Sequence, residues 1–453
     1  MSKVEELKSE VDAGTPGQID LLSEIVSIPS VGSDPARAED LERSALFVCA
    51  QFAELGLDAR VLRAHTSQGD LGAPAVVATS AMNPDHPTVL LYAHHDVQPV
   101  DASRWDSDPF KAEVRGDRIY GRGTSDDGAG IAVHIGALKA LRNVSGDLPV
   151  NVVVFIEGEE EVGSPSFESF LQEQREALEA DVIIVADSNN WSVDVPAVTA
   201  SLRGVVTLDV EVDVLDHAVH SGMFGGPILD AVTLSSRLIS TLHDEDGNVA
   251  VEGLGGNPRA EVTWDEHDFR RDASVIDGYR LAGTADLAAR VWTMPAIAVI
   301  GIDATSVADS ANAIIPRCKF RLSVRTVPGT DSTEVAHSVE QHLLSHAPFG
   351  CRVTTSVKET GPSYLADLES QAVADLRWAL TTAWDEDAVA IGVGGSIPFI
   401  AQFEEVFPYA EVLVTGVEDP STNAHSENES QSLKTLKNAT LAEALLLERL
   451  GSR

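Results

Sequence analysis

The chain has 453 residues, which is too long for one ordinary hydrophobic core and predicts two domains. Its 71 acidic residues outnumber 32 basic ones, and the net charge of −39 argues against nucleic acids and anionic membranes as partners, because both are bound by clustered Lys and Arg. It has no apolar run of transmembrane length, and its polar N-terminus lacks the apolar core of a signal peptide. Together with three scattered cysteines, Cys49, Cys318 and Cys351, these features predict a cytoplasmic protein.

Helical and strand patterns alternate over the first 200 residues. Apolar, β-branched runs predict strands at Asp58–Leu62, Ala75–Thr79, Thr88–Ala93, Val150–Ile156 and Asp181–Ala186. Helical spacing of apolar residues predicts helices at Ala36–Leu55, Asp127–Leu141 and Ser166–Leu178. This alternation is typical of an α/β sheet with helices on both faces.

The pattern changes near residue 204 to strict alternation of apolar and polar residues, which is typical of half-solvated antiparallel strands. The predicted strands here are Val205–Val214, Ala296–Ile300, Cys318–Arg325 and Cys351–Val357, and the predicted helices are Ile228–Leu242 and Ser332–His346. Their order along the chain predicts a four-stranded antiparallel sheet with two helices on one face. Residues 244–295 are polar and irregular, and we expect a loop region there.

The α/β pattern returns after about residue 363. A helix is predicted at Leu365–Trp384, a strand at Glu411–Thr415 and a closing helix at Ser432–Leu450. We therefore expect a first domain made of residues 1–203 and 363–453, with a second domain, residues 204–362, inserted into it.

Three consecutive carboxylates, Glu159-Glu160-Glu161, follow the apolar run Val150–Ile156. Like charges this close raise one another's pKa unless a cation or a metal ion lies beside them. The triplet is therefore either a solvated acidic turn or part of a binding site.

Other polar residues also follow predicted strands. His94, His95 and Asp96 come directly after one strand, and Asp187 and His425 follow two others. Asp126 lies in the glycine-rich turn Gly121–Gly128, which lacks the Gly-Lys-Ser/Thr ending of a phosphate loop and could serve only to cap the next helix. We expect these residues and the glutamates past the strand ends of one sheet, where sites form in α/β proteins. Two histidines with three carboxylates are the ligand types of a two-zinc hydrolytic site.

The chain resembles the M20 metallopeptidases, in particular their carnosinase-like dipeptidase branch. The resemblance covers nearly the whole chain and rests on five motifs in order: Tyr92–Pro99, Gly121–Asp127, Glu157–Ser164, His220–Gly226 and His425–Glu429. It implies an α/β fold, a zinc-peptidase-like mixed sheet flanked by helices, as catalytic domain. It also implies that the inserted α+β domain is a lid and dimerisation domain.

The resemblance implies two divalent metal ions per subunit, with Zn²⁺ expected and Mn²⁺ or Co²⁺ as alternatives. Their ligands would be His94, Asp126, Glu161, Asp187 and His425. Asp126 would be shared by both ions and joined to Asp127 by a cis peptide bond. Asp96 would orient His94, Glu160 would act as general base, and Glu159 would be a spacer facing elsewhere.

The resemblance also assigns residues of the inserted domain. His220 would reach the site of a neighbouring subunit and polarise the scissile carbonyl, which implies a homodimer. Arg325 would bind the substrate carboxylate with its guanidinium fork, and Asn312 and Ser396 would contact the substrate. The chain departs from many relatives at Gly128, where they carry Lys, and at His95, where Tyr is frequent.

The implied activity is metal-assisted hydrolysis of the amide bond in dipeptides or similar short substrates with a free carboxylate. One alternative is an N-acyl-amino-acid deacylase of the same family, which would use the same metals and base. A second alternative is a non-catalytic metal- or peptide-binding protein, against which the intact ligand set argues. The acidic patch Asp244–Asn248 would suit a calcium protein, but EF-hand spacing is absent.

Overall fold

The computed structural model describes residues 2–395 and 398–453. The chain divides into two compact units. The first holds Met1–Ala200, Ala366–Ala390 and Gln402–Arg453, and the second holds Ser201–Leu365 and Ile391–Ala401. The assignment of catalytic and lid/dimerisation roles to these parts of the chain stays a prediction.

The main sheet of the first unit has six strands. In spatial order they are Asp58–Leu62, Ala75–Thr79, Asn151–Glu157, Thr88–His94, Val182–Val185 and Glu411–Val414. The first two pair antiparallel, and the other four run parallel to one another. Because parallel strands end at the same edge of a sheet, the loops that follow these four strands start side by side.

The central strands of the main sheet are apolar on both sides, and other side chains pack against both faces of the sheet. On one face Val152 and Val154 pack in the core cluster that also holds Leu138 and Leu446. On the other face Phe155 stacks on Phe170 with ring centroids 4.8 Å apart. The helices of this unit are Lys3–Val26, Ala38–Glu54, Gly128–Ser145, Phe167–Glu173, Arg175–Leu178, Gln371–Trp384, Leu433–Leu450 and the part of Pro398–Val406 from Gln402 onward. Among the described helices, none is both long and apolar enough to cross a membrane.

The first unit also contains a separate three-stranded antiparallel sheet. Its strands are Ser430–Ser432, Arg118–Tyr120 and Glu113–Arg115. The turn that carries Asp126 follows the middle strand of this sheet. The expectation that Asp126 follows a strand of the main sheet was therefore wrong, because the apolar pattern did not reveal strands only three residues long.

The second unit contains a four-stranded antiparallel sheet, as predicted. In spatial order its strands are Ala296–Asp303, Arg317–Arg325, Val205–Asp213 and Arg352–Gly361. The helices Ala231–Ser240 and Ser332–Ser345 share one core cluster with the inward residues Leu208 and Leu322, so both cover the same face. On the opposite face Asp209 forms ion pairs with Lys319 and Arg321.

The remaining elements are short. A two-stranded ladder pairs Val219–His220 with Ala313–Ile314, and further strands span Ala197–Leu202, Tyr364–Leu365 and Val389–Val393. Short helices span Ser221–Phe224, Glu266–Asp272 and Leu287–Trp292. The last two of these lie in residues 244–295, which the sequence pattern had indicated as irregular throughout.

Candidate metal centre

The predicted ligands of the first unit come together past the carboxyl ends of the main-sheet strands. His94 is the last residue of its strand and is fully buried, and Asp187 follows the neighbouring strand Val182–Val185. The Nε2 atom of His94 lies 3.9 Å from Oδ2 of Asp187. The parallel register of the two strands therefore brings an imidazole and a carboxylate to one point.

The carboxylate of Asp126 lies between the two histidines. Its Oδ1 is 3.0 Å from Nε2 of His94, and its Oδ2 is 2.8 Å from Nε2 of His425. His425 Nε2 also lies 3.2 Å from Oε2 of Glu161. The Asp126–Asp127 peptide bond is cis, as predicted. One carboxylate thus has each oxygen turned to a different imidazole, which is the arrangement that a ligand shared between two ions requires.

Two neighbouring groups of side chains could each hold an ion. One group is Asp126, Glu161 and His425, and the other is His94, Asp127 and Asp187. Asp126 could join the second group as well, because its Oδ1 lies 3.0 Å from Nε2 of His94. Asp127 already accepts the backbone N–H groups of His94 and Gly130, at 3.3 Å and 3.1 Å. Asp126 is therefore better placed than Asp127 as the ligand that both groups share.

The spacing of these atoms is close to what divalent metal ions require. Two donor atoms about 2.0–2.2 Å from a tetrahedral zinc ion are about 3.3–3.6 Å apart. The distances from His94 Nε2 to Asp126 and Asp187, 3.0 Å and 3.9 Å, lie on either side of that range. The distances from His425 Nε2 to Asp126 and Glu161, 2.8 Å and 3.2 Å, are shorter than that range and are hydrogen-bond distances. Nitrogen and carboxylate oxygen are also the donors that Zn²⁺ accepts in hydrolytic sites.

The buried carboxylates of the centre would be stabilised by positive charge beside them. Burial raises the pKa of Glu160 to about 8, and the carboxylates of Asp187 and Asp126 add to this effect. Burial likewise raises the pKa of Asp187 to about 6. Hydrogen bonds to Asp126 and Glu161 raise the pKa of His425 to about 11, so the imidazole itself serves as the cation in the protein alone. Divalent ions would supply this charge instead.

Asp96 connects the end of the His94 strand to the glutamate turn. Its Oδ1 accepts the backbone N–H of Glu160 and its Oδ2 that of Glu161, both at 3.1 Å. The Nδ1 atom of His94 lies 3.0 Å from the backbone oxygen of Asp96 and 3.5 Å from its Oδ1. The nearest contact to the imidazole is thus the main-chain carbonyl, while the carboxylate holds the turn that carries Glu160.

Glu159 is turned to a different part of the first unit. Its carboxylate accepts hydrogen bonds from the backbone N–H of Ala73 and from both the N–H and the hydroxyl of Ser166, at 2.9, 2.6 and 2.5 Å. It is 6% exposed. The residue predicted as a spacer therefore anchors the turn that presents Glu160 and Glu161.

Three other predicted residues, His220, Asn312 and Arg325, lie in the second unit. His220 is exposed, its Nδ1 accepts the N–H of Gly222, and the next residue, Ser221, donates its N–H to the backbone oxygen of Asn312. His220 and Asn312 are therefore close neighbours. Arg325 ends the strand Arg317–Arg325 and is half-buried. Ser396 lies outside the described residues.

The sequence reasoning did not single out two polar residues of this centre. Gln98 donates its amide to Oε2 of Glu161 at 2.6 Å, and it lies inside the motif Tyr92–Pro99. Glu418 lies beside the segment that follows Asp187, and its backbone oxygen accepts the N–H of Asn190. Burial and the charges of Asp126 and Asp187 raise the pKa of Glu418 well above its usual value. Its position past the strand Glu411–Val414 was the pattern that could have indicated it.

Comparison with known proteins identifies the family of the chain. The family model described as peptidase family M20/M25/M40 matches residues 90–449. A cysteinylglycine-S-conjugate dipeptidase of Corynebacterium striatum is 35% identical over 437 residues, which are 95% of this chain and 94% of that protein.

Solved structures share the fold. Human carnosine dipeptidase 1 superposes with a TM-score of 0.75 at 23% identity, covering 100% of both chains. A dinuclear metal-binding M20 peptidase of Bacillus subtilis has a TM-score of 0.62 at 14% identity, covering 97% of this chain and 99% of that one. The predicted fold class is confirmed, and so is the resemblance on which the predicted ligand set rested. The chain belongs to peptidase family M20/M25/M40.

Proposed function

We propose that this protein hydrolyses the amide bond of dipeptides with a free carboxylate, using a pair of divalent metal ions. The observation that carries the proposal is the Asp126 carboxylate, which turns one oxygen to His94 and the other to His425. The family and the dipeptidase relative support the same reaction.

The first unit would supply the ion sites and the base. His94, Asp187, Glu161 and His425 would hold the ions around the shared Asp126. Such ions supply positive charge that lowers the pKa of water and polarises a carbonyl. Glu160 would take the proton of the attacking water and return it to the leaving amine. Asp96 would hold Glu160 in place through the backbone N–H of the turn.

We assign the identity of the ions as zinc, on the donor set of imidazole nitrogen and carboxylate oxygen. Mn²⁺ and Co²⁺ accept the same donors and are the alternatives to test. In the second unit, Arg325 would bind the substrate carboxylate, while His220 would stabilise the negative charge that develops on the scissile carbonyl oxygen. Asn312 and Ser396 would contact the substrate.

We propose that the protein acts as a homodimer in the cytoplasm. The edge strand Ala296–Asp303 of the four-stranded sheet exposes Val299, Ile300 and Ile302, at 41, 58 and 55%. An exposed apolar edge strand is a template for pairing with another chain, and a second copy offers the same edge. Unpaired thiols at Cys49, Cys318 and Cys351 suit a reducing compartment. Sedimentation should show a dimer for the wild type. For Ile300→Lys, which places a charge on the exposed edge strand, it should show a shift to monomer.

Turnover of the metal-reconstituted protein on a panel of dipeptides and N-acetyl amino acids tests the reaction. We expect hydrolysis of dipeptides that depends on added Zn²⁺, Mn²⁺ or Co²⁺ and stops on chelation. Faster hydrolysis of N-acetyl amino acids than of every dipeptide would point to a deacylase instead. Two bound ions without turnover on any substrate would contradict the enzymatic assignment.

A further inference from the structure

We propose that Glu429 is a positioning residue that joins the Asp126 turn to the His425 segment and thereby sets the affinity of one of the two ion sites. The inference rests on the proposed two-ion centre. Glu429 is not among the predicted ligands, but it lies four residues after His425 and is fully buried.

The carboxylate of Glu429 is enclosed by donors from a single turn. Its Oε1 accepts the backbone N–H groups of Ser125 and Asp126, at 2.9 Å and 3.2 Å. Its Oε2 accepts the N–H of Gly123 at 3.0 Å and the guanidinium of Arg122 at 2.6 Å. Four hydrogen bonds from residues 122–126 therefore end on one side chain from the C-terminal part of the chain.

The backbone and Arg122 complete the connection. Gly121 donates its N–H to the backbone oxygen of Glu429 at 3.0 Å. Arg122 Nη2 donates to the backbone oxygen of Ser426, the residue after His425, at 3.2 Å. Arg122 is only 3% exposed. One arginine thus binds both the carboxylate of Glu429 and the main chain beside a ligand.

This arrangement has a direct physical reason. A buried carboxylate is stable only when it is paired and hydrogen-bonded, so the Glu429–Arg122 pair holds both segments at a fixed separation. Asp126 and His425 belong to those segments and lie 2.8 Å apart at their ligand atoms. Residues that orient ligands typically change metal affinity by about 10- to 100-fold when they are replaced.

The two ion sites depend on Glu429 to different degrees. In the group Asp126, Glu161 and His425, two of the three side chains come from the segments that Glu429 joins. The other site takes only the shared Asp126 from those segments, because His94 and Asp187 are held by neighbouring strands of the main sheet. Loss of the Glu429 contacts should therefore weaken the His425 site more than the His94 site.

Metal binding to the chelator-treated proteins tests this inference without any measurement of turnover. Calorimetric titrations with Zn²⁺ would compare the wild type, Glu429→Gln and two reference variants, His425→Ala and His94→Ala, in each of which one site is disabled. We expect Glu429→Gln to keep one site within about 3-fold of wild type and to bind the other ion about 10- to 100-fold more weakly. Its binding curve should resemble that of His425→Ala.

Glu443→Gln is the matched control. Glu443 is also a buried carboxylate, 5% exposed, but it pairs with His134 and has no contact with either ligand segment among the described hydrogen bonds. Both ions should bind to this variant as they do to wild type. Wild-type affinity for both ions in Glu429→Gln, or an equal loss at both sites, would overturn the inference.

Arg122→Lys gives an independent test if Glu429→Gln does not fold. It keeps the positive charge beside Glu429 but loses the forked contact to Ser426, so the same site should weaken by a smaller factor. Unchanged binding of both ions to Arg122→Lys would then overturn the inference. If the wild type binds two ions but hydrolyses no dipeptide, the proposed function fails while these titrations still decide the role of Glu429.

Discussion

The carboxylate of Asp96 accepts a hydrogen bond from the backbone N–H of Glu160 at 3.1 Å, across 64 positions of the chain. The second carboxylate oxygen takes the N–H of Glu161 at the same distance. Both side chains that follow the main-sheet strand are therefore oriented by one buried acid at the end of the neighbouring strand. The contact is made with the turn, not with the reacting group.

Replacement of Asp96 by Asn should disturb this turn. An amide offers one acceptor oxygen and places an NH₂ group against the second N–H, so either Glu160 or Glu161 loses its contact. We expect kcat to fall by about 10- to 100-fold, which steady-state kinetics at saturating metal would measure. Glu39→Gln, which changes an exposed carboxylate, should leave kcat unchanged. Wild-type kcat in Asp96→Asn would show that the turn keeps its conformation without this acid.

Glu160→Gln should retain both metal ions and lose turnover by about 10²- to 10⁴-fold, because the amide cannot carry the proton. Metal content by elemental analysis and kcat together provide the measurement. If Glu160→Gln binds two ions and keeps near-normal kcat, Glu160 is not the base.

The neighbouring carboxylate, Glu159, should contribute to stability, whereas Glu160 contributes to turnover. Glu159→Ala leaves the N–H of Ala73 and the N–H and hydroxyl of Ser166 without their acceptor in a buried turn. We expect a loss of about 1–3 kcal/mol in the free energy of unfolding, measured by urea denaturation of the metal-loaded protein. A change smaller than the experimental error would mean that water replaces the carboxylate there.

The buried pair His134–Glu443 should make stability depend on pH. His134 Nδ1 lies 2.8 Å from Oε2 of Glu443 and its Nε2 lies 3.1 Å from the carbonyl oxygen of Tyr92, so both ring nitrogens face acceptors and the imidazole is protonated. Burial alone would lower the pKa of His134, but the charge of Glu443 outweighs it and the pKa is raised.

The raised pKa of His134 makes the folded protein less stable as the pH rises. A histidine with a raised pKa in the folded state contributes stability that is fully present below about pH 6.5 and is lost as the pH rises through the folded-state pKa. Urea denaturation of the metal-loaded protein between pH 6 and 9 should therefore show a decline that is smaller in Glu443→Gln. Parallel curves for the two proteins would contradict the ion pair.

The assignment of His220 to a neighbouring subunit predicts complementation. His220→Ala and Glu160→Gln should each be inactive alone, whereas mixed dimers contain one site with both residues intact. We expect activity to return after subunit exchange, up to about a quarter of wild type, because about half of randomly mixed dimers are heterodimers and each of these has one intact site of two. No recovery after exchange confirmed by mass spectrometry of differently tagged subunits would place His220 in its own subunit's site.

Local patterns in the sequence determined the secondary structure of most of this protein. The strand predictions Asp58–Leu62 and Ala75–Thr79 match the structure residue for residue, because runs of apolar and β-branched residues favour the extended backbone. The same reasoning placed His94 and Asp187 past strand ends. The three-residue strands around Asp126 escaped it, because so short a segment has no period to detect.

Only the tertiary structure decided how the ligands are held. Asp126 and Glu429 are 303 positions apart, yet a backbone N–H of one meets the carboxylate of the other. The glutamate triplet is a second example. Its three residues are identical in type, but Glu159 alone accepts hydrogen bonds from Ala73 and Ser166. A residue's type and spacing limit what it could bind, but its hydrogen-bond partners come from distant segments. Those partners are set by packing that no local pattern encodes.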